Sequence, residues 1–186
     1  MKPIKLAMMT LNSGHARGYY NDFLDNPNFE GVAISYPEDE ADRLFLEKIP
    51  DFIPRYQSDE EMLNAHPEIE AVIISSANHL HMKQMKLCAE RGIHIFSMKI
   101  PTFDMDEYDR MQELVQKNNI VCQVELELRY NPVIKRVKEL YDSGAIGKLV
   151  SFCGLNTTHF PVWWLPWVGD PEKSYGRKIL LREGDN

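Results

Sequence analysis

Short apolar runs alternate along the chain with longer segments of helical period, the pattern of βαβ units around a parallel sheet. Ile4 to Thr10 predicts a first strand, and Gly14 to Asn26 a helix that stops at Asn-Pro. Phe29 to Tyr36, centred on Val32, Ala33 and Ile34, predicts a second strand. Pro37 opens an acidic helix, where Glu38, Asp39, Glu40 and Asp42 suit the positive end of the helix dipole. Phe52 to Tyr56 predicts a short third strand, and Ser58 caps a helix through Asn64 with Glu61 completing a capping box. Ala71 to Ile74 is the most strand-like stretch of the chain. The helix from Leu80 to Arg91 stops at Gly92, a terminating glycine. Ile93 to Ser97 and Ile120 to Val124 predict strands on either side of a helix from Asp104 to Asn118.

This order predicts an α/β fold, a doubly wound parallel sheet of Rossmann type, with ligand at the carboxyl ends of the strands. After Val124 the pattern changes. Asn131 to Tyr141 is amphipathic and helical and ends at Asp-Ser-Gly, and Leu149 to Cys153 predicts a further strand. From Asn156 the chain is irregular, with Trp163, Trp164 and Trp167 among prolines. Residues 1–124 are thus expected to form the Rossmann-type domain. Residues 125–186 are expected to be a linker helix and the opening strand and loop of a truncated, incomplete α+β second domain. One strand cannot make an independent sheet, so the gene product is longer or this segment packs on the first domain or on a partner.

Composition narrows the class. Of 186 residues, 44% are apolar and 26% charged, close to the average for soluble globular proteins. The net charge of −7 argues against nucleic acid as partner, because phosphate binding needs a basic face. The apolar runs fall well short of the ~20 residues of a membrane helix, and the N-terminus lacks a cleavage-site pattern. Cys88, Cys122 and Cys153 form no Cys-x-x-Cys pair, which points to free thiols in a reducing compartment. A cytoplasmic location without membrane partners is expected.

A dinucleotide site needs glycines after the first strand, so that backbone approaches the pyrophosphate at a helix N-terminus. That loop reads Thr10-Leu-Asn-Ser-Gly-His-Ala-Arg-Gly18, and aligning G-x-G-x-x-G puts Thr10, Asn12 and His15 at the glycine positions. Asn12 and Ser13 are able to bond phosphate, or equally to cap the following helix. The end of the second strand, Ser35-Tyr36-Pro37, lacks the acid that holds a ribose; Tyr36 is a candidate to stack on adenine. A His-Leu-His pair at 79–81 is no metal site on a helix, since residues two apart face different ways.

The run Ser75-Ser-Ala-Asn78-His-Leu-His81, then Gly92-Ile-His94-Ile-Phe-Ser-Met-Lys99-Ile-Pro101, resembles the Gfo/Idh/MocA family, relatives of glucose–fructose oxidoreductase and inositol dehydrogenase. That family carries Thr-Pro-Asn-x-x-His, then Gly-Lys-His-Val leading into Glu-Lys-Pro. Leu128-Arg129-Tyr130-Asn131-Pro132 is similar to its Arg-Phe/Tyr-x-Pro motif, and Asp142-Ser-Gly-Ala-Ile-Gly147 to the turn into its second domain. The resemblance implies an NAD(P)-dependent oxidoreductase, or its nucleotide-binding portion, passing hydride to or from a sugar, inositol or related polyol. Lys99 matches the active-site lysine, which polarises the substrate oxygen. Thr10, Asn12, Ser13, Gly14, His15, Tyr36, Ser75, Ser76, Ala77, Asn78, His81 and Met98 would line the cofactor crevice, with Arg129 near the interdomain cleft.

Met98 stands where the family has glutamate and Ile100 where it has proline. The family's Asp-x-x-x-His, which supplies the acid or base, has no match in this chain. A homo-oligomer formed through the second domain is also implied, with NAD or NADP as the cofactor. The alternative is a Rossmann-derived binding or assembly module without dinucleotide chemistry, in which the tryptophans form a partner surface.

Overall fold

The computed structural model describes residues 2–10, 16–36, 47, 49–155 and 170–174. Six parallel strands form one sheet: β1 (Ile4–Met9), β2 (Phe29–Ser35), β3 (Arg55–Tyr56), β4 (Ala71–Ile74), β5 (His94–Ser97) and β6 (Cys122–Val124). Their order is β3-β2-β1-β4-β5-β6, so chain order reverses between β1 and β4. The doubly wound arrangement expected from the sequence is present, and it sets the crevice at that reversal.

The helices are α1 (Ala16–Asp25), α2 (Asp59–Ala65), α3 (Asn78–Glu90), α4 (Met105–Lys117), α5 (Pro132–Asp142) and α6 (Pro171–Ser174). Because strand side chains alternate, one strand serves two cores. Ala7 and Met9 of β1 and Val72 and Ile74 of β4 join Met62, Met85, Cys88 and Met111, which lie on α2, α3 and α4. Leu6, Met8 and Ile73 join Tyr20 and Phe23 of α1 with Ile49 and Ile53 on the opposite face. Each buried Val, Leu, Ile, Met or Phe among them stabilises the fold by about 1.5–3 kcal/mol relative to exposure.

Local signals account for the helix ends. Ser58 Oγ accepts the Glu61 amide at α2, Asp104 caps α4 through the Asp106 and Glu107 amides, and Asn131 caps α5. Gly92 takes φ +72 after α3, as a terminating glycine must.

Two strand expectations are corrected. The third strand shrinks from Phe52–Tyr56 to Arg55–Tyr56, since the Ile53 amide turns back to the Pro50 carbonyl and Pro54 has no N–H to donate. Leu149 to Cys153 forms no strand: no described strand pairs with it, and Val150 is 94% exposed. The acidic helix expected after Pro37 and the tryptophan cluster lie outside the described residues. Among the described residues, no helix is long and apolar enough to cross a membrane.

Candidate functional site

The crevice begins at Thr10, the residue after β1. It is fully buried at φ 55, a left-handed conformation that costs a β-branched residue about 1–2 kcal/mol. Three bonds hold it there. Its amide donates to the Ser35 carbonyl at 2.9 Å. Its carbonyl accepts Ser75 Oγ at 2.5 Å, and its Oγ1 accepts Gln84 Nε2 at 3.2 Å. The first of the expected glycine positions thus keeps a glycine-like turn without glycine. Asn12, Ser13, Gly14 and His15 lie outside the described residues.

Beneath the crevice a polar network joins the ends of β1, β2 and β4. Ser76 Oγ donates to Gln84 Oε1 at 2.6 Å, and Gln84 Nε2 donates to Asp59 Oδ2 at 2.8 Å. Ser35 Oγ, at the end of β2, donates to Asp59 Oδ1. Asp59 therefore brings a carboxylate to the carboxyl end of β2, where the strand has none of its own. It opens on a hollow of about 190 Å³ with Gln57, Leu80 and Lys83. Tyr36 follows β2, half-buried, and its amide donates to the Tyr56 carbonyl at 2.7 Å.

Ser75 and Ser76 lead from β4 into α3, whose cap position is Ala77. Asn78 is already the first helical residue and is buried, so it is no side-chain cap, and α3 starts earlier than the sequence suggested. His81, one turn further, is completely buried. Its Nε2 lies 2.9 Å from the Ser76 carbonyl and its Nδ1 2.8 Å from the Ile100 carbonyl. Burial holds its pKa below the ordinary 6.5; the two carbonyls oppose this and nearby His79 adds to it. Each ring nitrogen of His81 faces a backbone carbonyl, and the neutral ring donates to one of the two.

Met98, buried at the end of β5, donates its amide to the Ile74 carbonyl at 2.9 Å. Lys99 follows, joined to Ile100 by a cis peptide bond. Its ammonium lies 2.5 Å from Glu127 Oε1, with the side chain 35% exposed. Glu127 belongs to a single 3-10 turn, Glu127–Tyr130, just past β6. Arg129 sits on the same turn, exposed, and makes no ion pair among the described residues. Of the two acids nearest to it in sequence, Glu127 pairs with Lys99 and Glu125 accepts the Tyr19 hydroxyl. Tyr19 also packs edge-on against Phe96, with ring centroids 5.1 Å apart.

Thr10, Ser75, Ser76, Ala77, Asn78, Met98 and Lys99 therefore gather at the carboxyl ends of β1, β4 and β5. Sequence reasoning missed Asp59, Gln84, Glu125 and Glu127 as site residues. The signal for the last two was present: Val-Glu-Leu-Glu-Leu places two acids in an apolar run after a strand. Among the described residues no group of three His, Cys, Asp or Glu side chains could hold a metal ion. The residues present fit a nicotinamide dinucleotide at two points, the left-handed turn at Thr10 and the carboxylate at the end of β2.

The chain is similar in sequence and in fold to known dehydrogenases. Levoglucosan dehydrogenase of Pseudarthrobacter phenanthrenivorans is 32% identical over 105 residues, 56% of this chain and 25% of that protein. The scyllo-inositol 2-dehydrogenase (NAD(+)) of Bacillus subtilis is 30% identical over 102 residues, 55% of this chain and 30% of that protein. The myo-inositol 2-dehydrogenase structure from Lactobacillus plantarum shares the fold with a TM-score of 0.69 at 22% identity. That match covers 80% of this chain and 44% of the other. The matched stretch thus spans about a quarter to a third of the curated relatives' length. Residues 12–126 match the oxidoreductase family with an NAD-binding Rossmann fold, GFO_IDH_MocA, and the chain belongs to that family.

Proposed function

We propose that the chain is the dinucleotide-binding part of an oxidoreductase that oxidises or reduces a CH–OH carbon of a sugar, inositol or related polyol. The observation that carries this reading is Lys99, a cation at the carboxyl end of β5 beside the β1/β4 crevice, its ammonium aimed by Glu127. Nicotinamide dinucleotide, when bound, supplies or accepts the hydride. Lys99 holds the substrate oxygen and stabilises the charge that grows on it. Thr10, Ser75, Ser76 and Asn78 bind along the crevice. The Asp59 carboxylate at the end of β2 receives ribose hydroxyls and repels a 2′-phosphate, which favours NAD over NADP. The three free cysteines suit a reducing, cytoplasmic setting.

The rival reading, an assembly module without dinucleotide chemistry, has no supporting relative among those compared. Isothermal titration with NAD(H) and NADP(H) tests the proposal. A binding heat and a thermal upshift are expected; neither with any of the four at millimolar concentration overturns it.

A further inference from the structure

Among the crevice candidates His81, like Thr10, Ser75 and Ala77, has no exposed surface to offer a ligand. It is 0% exposed, yet its ring touches two loops that leave different strands. Nε2 meets the carbonyl of Ser76, in the loop after β4 that faces the dinucleotide. Nδ1 meets the carbonyl of Ile100, the residue directly after Lys99. An imidazole is rigid, so one donated hydrogen bond and one packing contact through the same ring set the separation of those carbonyls in a way two flexible side chains could not. A neutral ring carries one N–H and donates to only one of the two carbonyls; its other nitrogen rests against the second.

We infer that His81 is a positioning residue, which sets where Lys99 stands relative to the loop Ser75–Ala77. This rests on the oxidoreductase reading above. A movement of the β4 loop on cofactor binding passes through the ring to the Ile100 carbonyl, and thence to the Lys99 backbone. Glu127 then holds the far end of the same side chain. The lysine is thus held at both ends, and only the backbone end is tied to the cofactor side.

The test uses the full chain with its lysines reductively methylated by 13C-formaldehyde, the Lys99 signal being assigned from Lys99→Arg. In the wild type, NAD+ should shift the Lys99 signal and leave Lys138, on α5, unmoved. In His81→Gln, NAD+ should bind within about threefold of wild type, because His81 does not touch it, while the Lys99 response is lost. A purely structural histidine would lower stability without separating these readouts. An undiminished Lys99 response in His81→Gln overturns the inference, and so does a loss of NAD+ affinity of about tenfold or more, which would make His81 a direct contact. No NAD+ binding by wild type sinks the dinucleotide reading instead; the inference then stands or falls on the apo chain, where His81→Gln must displace the Lys99 signal. Should His81→Gln not fold, the wild-type ring N–H resonance decides. It must respond to Lys99→Ala, and an unchanged resonance overturns the inference.

Discussion

The Lys99 ammonium and the Glu127 carboxylate, 28 residues apart in sequence, meet at 2.5 Å across the carboxyl edge of the sheet. The pair is about one-third and one-half exposed, so solvent screens it and it adds only about 0.2–1 kcal/mol to stability. Its value lies in aim. Glu127→Gln should therefore leave chemical denaturation almost unchanged. Lys99→Ala should cost the complete enzyme about 10²–10³ in kcat, the range for removing one donor to a developing oxyanion. Turnover of Lys99→Ala within threefold of wild type, roughly 0.7 kcal/mol on the same scale, would leave the lysine without a chemical role.

The network under the crevice makes a different forecast. Asp59→Ala strips acceptors from the Ser35 hydroxyl and the Gln84 amide, both buried, and should destabilise the chain by about 1–3 kcal/mol. Asp59→Asn keeps the shape and removes the charge, so it should narrow the preference for NAD over NADP. Titration of both dinucleotides into wild type and variant measures this. An unchanged ratio of affinities removes Asp59 from the ribose end.

Two glycines should respond to alanine with opposite signs. A Cβ on Gly31 would meet the ring of buried Phe23 at 2.8 Å and the Phe23 carbonyl at 3.0 Å, so Gly31→Ala should cost about 1–3 kcal/mol. Gly18, on α1, has nothing within 4 Å of the same position. Gly18→Ala should gain about 0.5–1 kcal/mol from helix propensity. Paired urea denaturation curves separate the two.

Acid should weaken the fold through His81. Its folded pKa lies below the ordinary 6.5 because burial disfavours the charged ring. The unfolded chain then binds more protons in the window below 6.5, so this contribution is fully present above that value and is lost as pH falls. Thermal midpoints recorded from neutral to mildly acid pH should fall, and His81→Gln should remove part of the slope. Parallel slopes in the two proteins would contradict this.

Thiol labelling should proceed in a fixed order. Cys153 is exposed, Cys122 is half-buried with its thiol pushed up to about 11 by burial, and Cys88 is buried with its thiol pushed higher still. The reactive species is the thiolate, so Cys153 should react first with a disulfide reagent and Cys88 only on unfolding. Early modification of Cys88 would mean that α3 does not lie against the sheet as described.

The sheet was legible because buried parallel strands leave continuous apolar runs, as at Ala71–Ile74, and caps such as Ser58 and Asp104 mark helix starts locally. The places of Ser75 and Lys99 at strand ends were legible from the apolar runs that precede them. Asp59 and Glu127 were not, because their partners Ser35 and Lys99 lie 24 and 28 residues away and only the crossover connections bring them together. The missing glycine at Thr10 misled in another way. The conformation is imposed by Ser35, Ser75 and Gln84 rather than by the residue's own freedom.

The place of β1 at the centre of the sheet has a consequence in time. Its two neighbours are β2, which follows it closely, and β4, just before which Glu70 meets Lys5 from sixty-five residues away. Emerging from a ribosome, β1 has one edge matched early and the other open until β4 arrives. Such long-range pairing slows folding, and the open edge is where a nascent chain is most vulnerable to mispairing. Thr10 and Ser75 lie at the same seam, so the crevice can close only once this pairing has formed.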